Sequence, residues 1–333
     1  MTRLGLVLIG VVGLTGPGPL SSPARAEDFR LSLPLTCGPE VGCVVQNYVD
    51  TDPGPQARDY RCSGQTYQGH NGVDIRLPDM AAQRKGVGVL AAAAGTVLRL
   101  RDAAPDISIR AEGAPSVAGQ ECGNGLVIDH GQGWETQYCH MAQGSLVVKA
   151  GQKVARGARL GRVGLSGMTE FPHLHLTVRH QGRMVDPFGP DLAAGQCNPI
   201  AGVGLWDGAA MRTLAYQAGA VLNAGFSGSV VTMEGIEAGG LPPPAPDSAF
   251  LIAWVRAIHL QAGDVQTLTV TGPDGKALAR ASLPPLDRDK AQTLTYAGIR
   301  RPVTGWIRGG HTARYEVVRS GRVVLARDFR GGL

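Results

Sequence analysis

Short runs of alternating or β-branched apolar residues, each closed by glycine or another turn residue, recur along most of the chain. The first part of the chain contains GVGVLAAAAGTVLRL, GNGLVIDHG, WETQYCHM and PHLHLTVRHQGRMVDP. The last third contains SAFLIAWVRAIHL, VQTLTVTG and ARYEVVRSGRVVLARDF, separated by turns such as Pro273-Asp274-Gly275. Alternation with a period of two between turn signals is typical of strands. The pattern therefore predicts a mainly β protein built from antiparallel sheets.

The distribution of cysteine and histidine divides the chain near residue 200. All six cysteines and six of the eight histidines precede that point, and glycine and alanine are frequent just after it. We predict a first domain over 27–199, a linker over 200–226 and a C-terminal β-sandwich of the immunoglobulin-like kind over 227–333. The stretch 102–120 interrupts the strand pattern and is predicted to be an inserted surface loop.

The N-terminus has the three parts of a secretory signal peptide. Arg3 gives a positive start, Leu4 to Leu14 form an apolar run, and Ala24-Arg25-Ala26 supplies a small-x-small cleavage pattern. The run is too short for a membrane anchor, which needs about 20 residues. We therefore predict a signal peptide over 1–26, export to the periplasm or the extracellular space, and no stable membrane insertion. In such an oxidising compartment the cysteines are expected to form disulfides, and the sequence leaves their connectivity open.

The charge balance argues against one class of partner. Of the 32 lysine and arginine residues, two lie in the predicted signal peptide, which leaves 30 basic residues against 27 acidic ones. So mild a positive balance does not indicate a nucleic-acid partner. It is compatible with contact to an anionic wall or membrane surface.

Candidate chemistry is concentrated in the first domain, where PHLHL at 172–176 holds two histidines. On one strand, His173 and His175 point to the same side, with Cα atoms about 6.6 Å apart. His70 and Asp74 occur in GHNGVD, and a straight strand would hold them about 13 Å apart, too far for one ion. The chain must therefore turn between them, and Gly72 permits a bend.

His140 adds a fourth imidazole at the end of the WETQYCHM strand. A catalytic zinc site has three protein ligands and keeps one position open for water or substrate. Three of the five candidate residues are enough to fill the ligand positions. The other two histidines suit proton transfer because the pKa of imidazole lies near neutrality.

Three motifs in this order resemble those of the lysostaphin/LytM-type zinc metallopeptidases, which are bacterial cell-wall endopeptidases. The motifs are His70-x-x-x-Asp74, Tyr138-x-His140 and His173-x-His175. The glycine-spaced stretch before PHLHL and the VDP after it are similar to the family's sequences as well. The resemblance covers about residues 60–190 and implies an antiparallel β core with the duplicated hybrid motif fold.

The resemblance also implies a function and assigns the five residues. His70, Asp74 and His175 are expected to bind one zinc ion per chain, and His140 and His173 are expected to be the catalytic pair that does not bind the metal. Which of the two is the general base stays open. The implied reaction is hydrolysis of amide bonds in the peptide stems or cross-bridges of peptidoglycan. The C-terminal sandwich is predicted to be an accessory domain that contacts the wall or a wall-associated partner.

The chain departs from the family pattern beside the PHLHL motif. Glu170-Phe171 replaces Thr-Gly before the proline, and Thr177 stands where glutamate is common. These changes put the substrate preference in doubt more than the chemistry. Some members of the family have lost ligands and activate other wall hydrolases, so a non-catalytic regulator is the alternative function. A lipoyl or biotinyl carrier shares the glycine-spaced turns but needs no histidine site.

Overall fold

The computed structural model describes residues 1, 29–38, 42–193, 195–197 and 204–332. The predicted signal peptide, apart from Met1, lies outside these residues. Among the residues described, no helix is long and apolar enough to cross a membrane. The mainly β, antiparallel architecture expected from the alternation of apolar and polar residues is confirmed.

The first half of the chain forms two antiparallel sheets. Its elements in chain order are β1 (Val44–Asn47), β2 (Val73–Arg76), α1 (Met80–Arg84), β3 (Gly88–Leu90), β4 (Gly95–Arg101), β5 (Asn124–Gly131), β6 (Trp134–Met141), β7 (Lys153–Val154), β8 (Arg159–Arg162), β9 (His173–His180) and β10 (Arg183–Val185). The larger sheet has the order β1-β2-β9-β6-β5-β4-β7, with β10 added to β9, and the smaller sheet pairs β3 with β8. This order places β9 between β2 and β6, so the three predicted motifs lie on neighbouring strands.

Strands β5 and β6 form a hairpin with a tight loop. Gln132 and Gly133 have φ values of 51° and 80°, the left-handed values that a tight two-residue hairpin loop requires. Gly131 lies opposite Trp134 across this loop. Strand β6 then pairs antiparallel with β9, so His140 lies at the same end of the sheet as the start of β9.

Strand β9 shows how alternation separates the core from the site. Leu174 and Leu176 are fully buried in a hydrophobic cluster that also contains Ile75 of β2. His173 and His175 are the alternate residues and therefore face the opposite side of the sheet. The leucines fix the register of β9, and the register in turn fixes the direction of both histidines.

The disulfides expected for an exported chain are present in the structure. They join Cys37 to Cys43, Cys62 to Cys197 and Cys122 to Cys139. The third lies beside the site, since the backbone N–H of His140 donates to the carbonyl oxygen of Cys122 at 2.8 Å. The end of β6 is thus joined to Cys122, just before β5, both by a disulfide and by a hydrogen bond.

The second half of the chain forms two further antiparallel sheets around a core of their own. Its elements are α2 (Gly208–Thr213), β11 (Ala220–Ser227), α3 (Met233–Ala238), β12 (Phe250–Leu260), β13 (Val265–Thr271), β14 (Ala277–Ser282), β15 (Lys290–Arg300), β16 (Gly310–Arg319) and β17 (Arg322–Gly332). The sheets β11-β12-β15 and β14-β13-β16-β17 share a hydrophobic cluster that includes Val255, Leu268 and Tyr315. Two sheets around one core form a sandwich, while the immunoglobulin-like kind stays a prediction.

The segment predicted as a linker, 200–226, contains regular structure where the chain is described, from residue 204 on. Asp207 caps α2, and β11 begins at Ala220. Ala210 and Leu214 are buried in the core of the first half. Apolar residues four apart on a capped helix form one packing face. The small residues around them make this face hard to recognise in the sequence. Because this helix packs in the first core, the first structural unit extends beyond the predicted boundary at residue 199.

The predicted insertion 102–120 is folded against the sheet rather than projecting from it. The carboxylate of Asp106 accepts hydrogen bonds from the backbone N–H groups of Gln143 and Leu165 at 2.9 Å and 2.8 Å. The N–H of Ile109 donates to the carbonyl oxygen of Thr169 at 3.1 Å. These bonds place the loop beside the segment that leads into His173.

Candidate metal centre

Two neighbouring strands and one turn bring three of the predicted residues together. Asp74 of β2 lies directly opposite His175 of β9. His70 precedes β2, in a turn closed by a 3.0 Å hydrogen bond from its N–H to the carbonyl oxygen of Tyr67. Residues distant in sequence thus meet because β2 and β9 pair in this register.

The distances between the three side chains fit a single metal ion. His70 Nε2 lies 3.2 Å from Asp74 Oδ1, and His175 Nδ1 lies 2.8 Å from the same oxygen. The two histidine nitrogens are 3.2 Å apart. Three ligands about 2.0–2.1 Å from a tetrahedral ion would lie about 3.3 Å from one another. His70, Asp74 and His175 therefore form a group that is able to hold a zinc ion.

Neighbouring polar groups orient two of these candidate ligands. His70 Nδ1 donates to the carbonyl oxygen of Tyr48 at 2.6 Å, which leaves Nε2 as the nitrogen with a free lone pair. Asn47 Nδ2 donates to the second carboxylate oxygen of Asp74 at 2.8 Å. Bonds of this kind fix the tautomer and the direction of metal ligands. Sequence reasoning missed Asn47 and Tyr48, because nothing in the spacing of β1 connects it with the histidine motifs.

Gly72 is needed for a second reason besides the predicted bend. The chain does bend at this residue, but a Cβ atom at position 72 would lie 2.5 Å from His175 Nε2 and 2.8 Å from the carbonyl oxygen of Leu176. A side chain is therefore excluded by the close approach of the turn to β9. The glycine permits contact between two elements, and this contact is visible only in the folded chain.

Thr177, one of the departures from the family pattern, contacts His175 of the candidate ligand group. Its Oγ1 lies 3.1 Å from His175 Nε2, and the side-chain oxygen of Asn71 lies at the same distance from that nitrogen. Alternation along β9 puts Thr177 on the same face as His175. The hydroxyl and the amide together satisfy the ring nitrogen that does not face Asp74.

His140 and His173 stand beside the cluster with their rings 4.6 Å apart. His140 Nδ1 donates to the carbonyl oxygen of Ser166 at 2.8 Å, and His173 Nδ1 donates to that of Phe171 at 2.9 Å. Each ring therefore leaves Nε2 for other contacts, and His173 Nε2 lies 3.4 Å from Asp74 Oδ1. His140 has a φ of 61°, an uncommon left-handed value for a residue with a side chain.

Burial and mutual contact shift the pKa values of the cluster. Burial alone would raise the pKa of Asp74, but His173, His70 and His175 together hold it well below its usual value. Burial lowers the pKa of His175, and burial with the neighbouring histidines lowers that of His140 strongly. For His70 the carboxylate of Asp74 outweighs burial, and the pKa is raised. Perturbed groups gathered in a cleft are typical of functional sites.

Two cavities meet over the cluster. The first, of about 470 Å³, has polar walls that include Asn71, Glu121 and Arg179. The second, of about 520 Å³, lies between the two halves of the chain, and we call it the interdomain pocket. Both cavities are lined by Tyr67, His140 and Met168. Together they form a groove that passes over the histidines, with room for an extended chain on each side.

Comparison with known proteins confirms the resemblance read from the motifs. Residues 68–187 match the family model described as Peptidase family M23. The peptidoglycan DD-endopeptidase ShyA of Vibrio cholerae is 44% identical over 64 residues, which are 19% of this chain and 14% of that protein. An uncharacterized metalloprotease of Haemophilus influenzae is 32% identical over 118 residues, 35% of this chain and 20% of that protein. The matched region thus spans a fifth or less of the length of these two relatives.

Solved structures similar to this chain include a zinc-containing peptidase from Vibrio cholerae. It is 27% identical, with 42% of this chain and 38% of that chain covered, at a TM-score of 0.28. The catalytic domain of lysostaphin from Staphylococcus simulans is 22% identical, with 42% of this chain and 85% of that chain covered, also at 0.28. The case for a metal site rests on the side-chain geometry and on the family match.

Proposed function

We propose that this protein is a zinc-dependent endopeptidase that hydrolyses amide bonds in the peptide part of peptidoglycan. The observation that carries the proposal is the group of His70, Asp74 and His175, whose candidate ligand atoms all lie within 4.8 Å of one another. The match of the surrounding residues 68–187 to Peptidase family M23 supports a peptidase. The name of the relative ShyA supports peptidoglycan as the substrate class.

The chemistry follows from the arrangement of the five residues. His70, Asp74 and His175 would hold a zinc ion, which would supply the Lewis acid for polarising the scissile carbonyl and activating a water molecule. His140 and His173 use Nδ1 to donate to backbone carbonyl oxygens, so both present Nε2 on the side of the cluster. One of these nitrogens takes the proton of the attacking water, and the other stabilises the oxyanion or protonates the leaving amine. The histidine pair thus completes the metal site without binding the metal.

We infer that the protein acts outside the cytoplasm. Peptidoglycan lies in the periplasm or the extracellular space, and the first 26 residues have the pattern of a secretory signal peptide. Three disulfides are in keeping with an oxidising compartment. We further propose that the second half of the chain is an accessory domain that positions the enzyme on its substrate.

The test combines metal content with product analysis. The purified protein is analysed for zinc and incubated with purified sacculi, alongside His175→Ala and a chelator-treated sample. His180→Ala is the matched control, because His180 is on the same strand but stacks on Trp134, with ring centroids 4.1 Å apart, and lies outside the cluster. We expect one zinc per chain and new peptide ends that disappear only with His175→Ala and with the chelator.

Other results would lead to different conclusions. Zinc in the wild type without new peptide ends would contradict the proposed hydrolysis of peptidoglycan. A folded wild type without zinc would contradict the catalytic reading and favour a non-catalytic regulator of other wall hydrolases. Loss of activity in His180→Ala as large as that in His175→Ala would show that the cluster has no special role.

A further inference from the structure

The interdomain pocket is built by both halves of the chain. Its floor reaches Asp74, His140 and His173, and its outer wall is formed by Ala291 and Gln292 at the start of β15. Both wall residues are exposed to solvent. A chain lying in this pocket would therefore contact the candidate reaction centre at one end and the C-terminal sandwich at Ala291 and Gln292.

Hydrogen bonds hold this wall in place against the first half. The side chain of Gln46 donates to the carbonyl oxygen of Ala291 at 3.3 Å, and Arg76 donates to the side-chain oxygen of Gln292 at 3.3 Å. His259 Nε2 donates to the carbonyl oxygen of Gln46 at 2.9 Å. These bonds join β15 and β12 to β1 and β2. The pocket is therefore a preformed space rather than an open gap between two separate units.

Arg76 links the same junction to Phe171, in the segment that leads into His173. Its guanidinium contacts the carboxylate of Glu237 on α3 and lies 4.1 Å from the centre of the Phe171 ring. The carbonyl oxygen of Phe171 accepts from His173 Nδ1. The second half thus supports both the wall of the pocket and the residue that orients His173.

The inner part of the pocket favours uncharged groups. Its apolar lining residues are Tyr67, Ile109, Met168, Phe171 and Ala291. Beyond the candidate ligands and catalytic histidines, Arg76 is buried in its pair with Glu237, and Arg110 pairs with Glu170 at 2.7 Å on the exposed rim. A charged guest at the inner end would lose hydration without gaining a free counter-ion. Small apolar side chains are the guests that this surface favours.

We propose that the interdomain pocket is a substrate subsite that binds residues with small apolar side chains on the His173 side of the scissile amide, with Gln292 setting its width. This inference rests on the proposed function, since it names the part of a peptide substrate that the site recognises. The C-terminal sandwich is then part of the substrate site as well as an accessory domain.

The experiment measures binding separately from cleavage. Soluble cross-linked muropeptides are titrated into zinc-loaded His140→Ala protein, in which hydrolysis is blocked, with and without Gln292→Trp or Gln217→Trp. Gln217 is the matched control, because it is an exposed glutamine of the second half that does not line the interdomain pocket. Thermal unfolding and zinc content show that each variant is folded and loaded. Tetra-alanine, tetra-aspartate and tetra-lysine are then used as competitors.

We expect Gln292→Trp to weaken muropeptide binding at least tenfold, because the indole would project from the wall into the pocket, while Gln217→Trp changes it by less than threefold. Tetra-alanine is expected to compete, and the two charged peptides are not. Unchanged binding in Gln292→Trp, or no muropeptide binding at all, would overturn the subsite. Binding that shifts as expected in a protein whose wild type cleaves nothing would refute the proposed hydrolysis and leave the subsite standing.

Discussion

Replacement of Glu237 by glutamine is expected to loosen the junction between the two halves. Oε2 of Glu237 accepts from the guanidinium groups of both Arg76 and Arg256. The exposures of these arginine side chains are 2% and 0%, against 21% for Glu237. Glutamine keeps the shape of the side chain but not its charge. Two buried cations would therefore lose the carboxylate that they share.

The expected loss in the free energy of unfolding follows from the burial of these groups. Removal of one partner from a buried ion pair destabilises a protein by about 3–5 kcal/mol. Glu237 is partly exposed and glutamine still accepts a hydrogen bond, so we expect about 3 kcal/mol, the lower end of this range. In domains of about 150–250 residues, 1 kcal/mol lowers the Tm by about 2–4 °C, which gives a decrease of about 6–12 °C.

Differential scanning calorimetry at neutral pH measures this effect. Glu234→Gln is the matched control, because Glu234 is an exposed residue in the first turn of the same helix. It is expected to lower the free energy of unfolding by only about 0.3–1 kcal/mol, through the helix dipole. A Tm of Glu237→Gln within 2 °C of this control would refute the view that a buried ion pair stabilises the junction.

Three further predictions concern the metal, the pH and a disulfide. Asn47→Ala is expected to weaken zinc binding about 10–100-fold, measured by competition with a chelator, because Asp74 loses the hydrogen bond that orients it. Burial raises the pKa of Asp186 from 3.8 to about 7, so in the metal-free protein this carboxyl group is expected to contribute a loss of stability as the pH rises from 4 to 7. Asp186→Asn should remove this loss. Its free energy of unfolding should therefore exceed that of the wild type by an amount that grows from pH 4 to pH 7. Serine at Cys62 and Cys197, 135 residues apart, is expected to lower that free energy by about 5 kcal/mol through added chain entropy.

Each of these three has an outcome that contradicts it. Zinc affinity of Asn47→Ala equal to that of the wild type would show that the amide does not orient the carboxylate. A gain in Asp186→Asn that is the same at pH 4 and pH 7 would exclude titration of this carboxyl group as its cause. Denaturant unfolding of the serine double variant with a loss under about 1 kcal/mol would contradict the chain-entropy account.

The residues of the candidate site were predictable because strand alternation and ligand chemistry are local properties. PHLHL places His173 and His175 on one face of any strand, and the structure has that strand. The turn before Asp74 was predictable because a straight strand would hold His70 and Asp74 too far apart to bind one zinc ion. Which strands pair is a non-local property, and the position of Asp74 opposite His175 depends on it.

The surroundings of the site were less predictable for the same reason. Asn47 and Tyr48 come from β1, which reaches the cluster only because β1 pairs with β2. Gly72 was expected to permit a bend, and the chain bends there, but its lack of a side chain is also needed for the approach of His175. The predicted linker is partly compatible with helix by sequence, but the packing of its helix on the first core was not predictable, because its packing face consists of only a few apolar residues among small ones.

The sequence by itself determined the strand content and the set of candidate side chains for metal binding and proton transfer, because periodicity and side-chain chemistry are properties of each residue and its near neighbours. Only the tertiary structure decided which of those side chains meet and what surrounds them. The wall that Gln292 adds to the interdomain pocket is the clearest case, since it lies 119 positions after His173 in the chain. Contacts across such a separation arise from the packing of two cores against each other, and no local pattern encodes them.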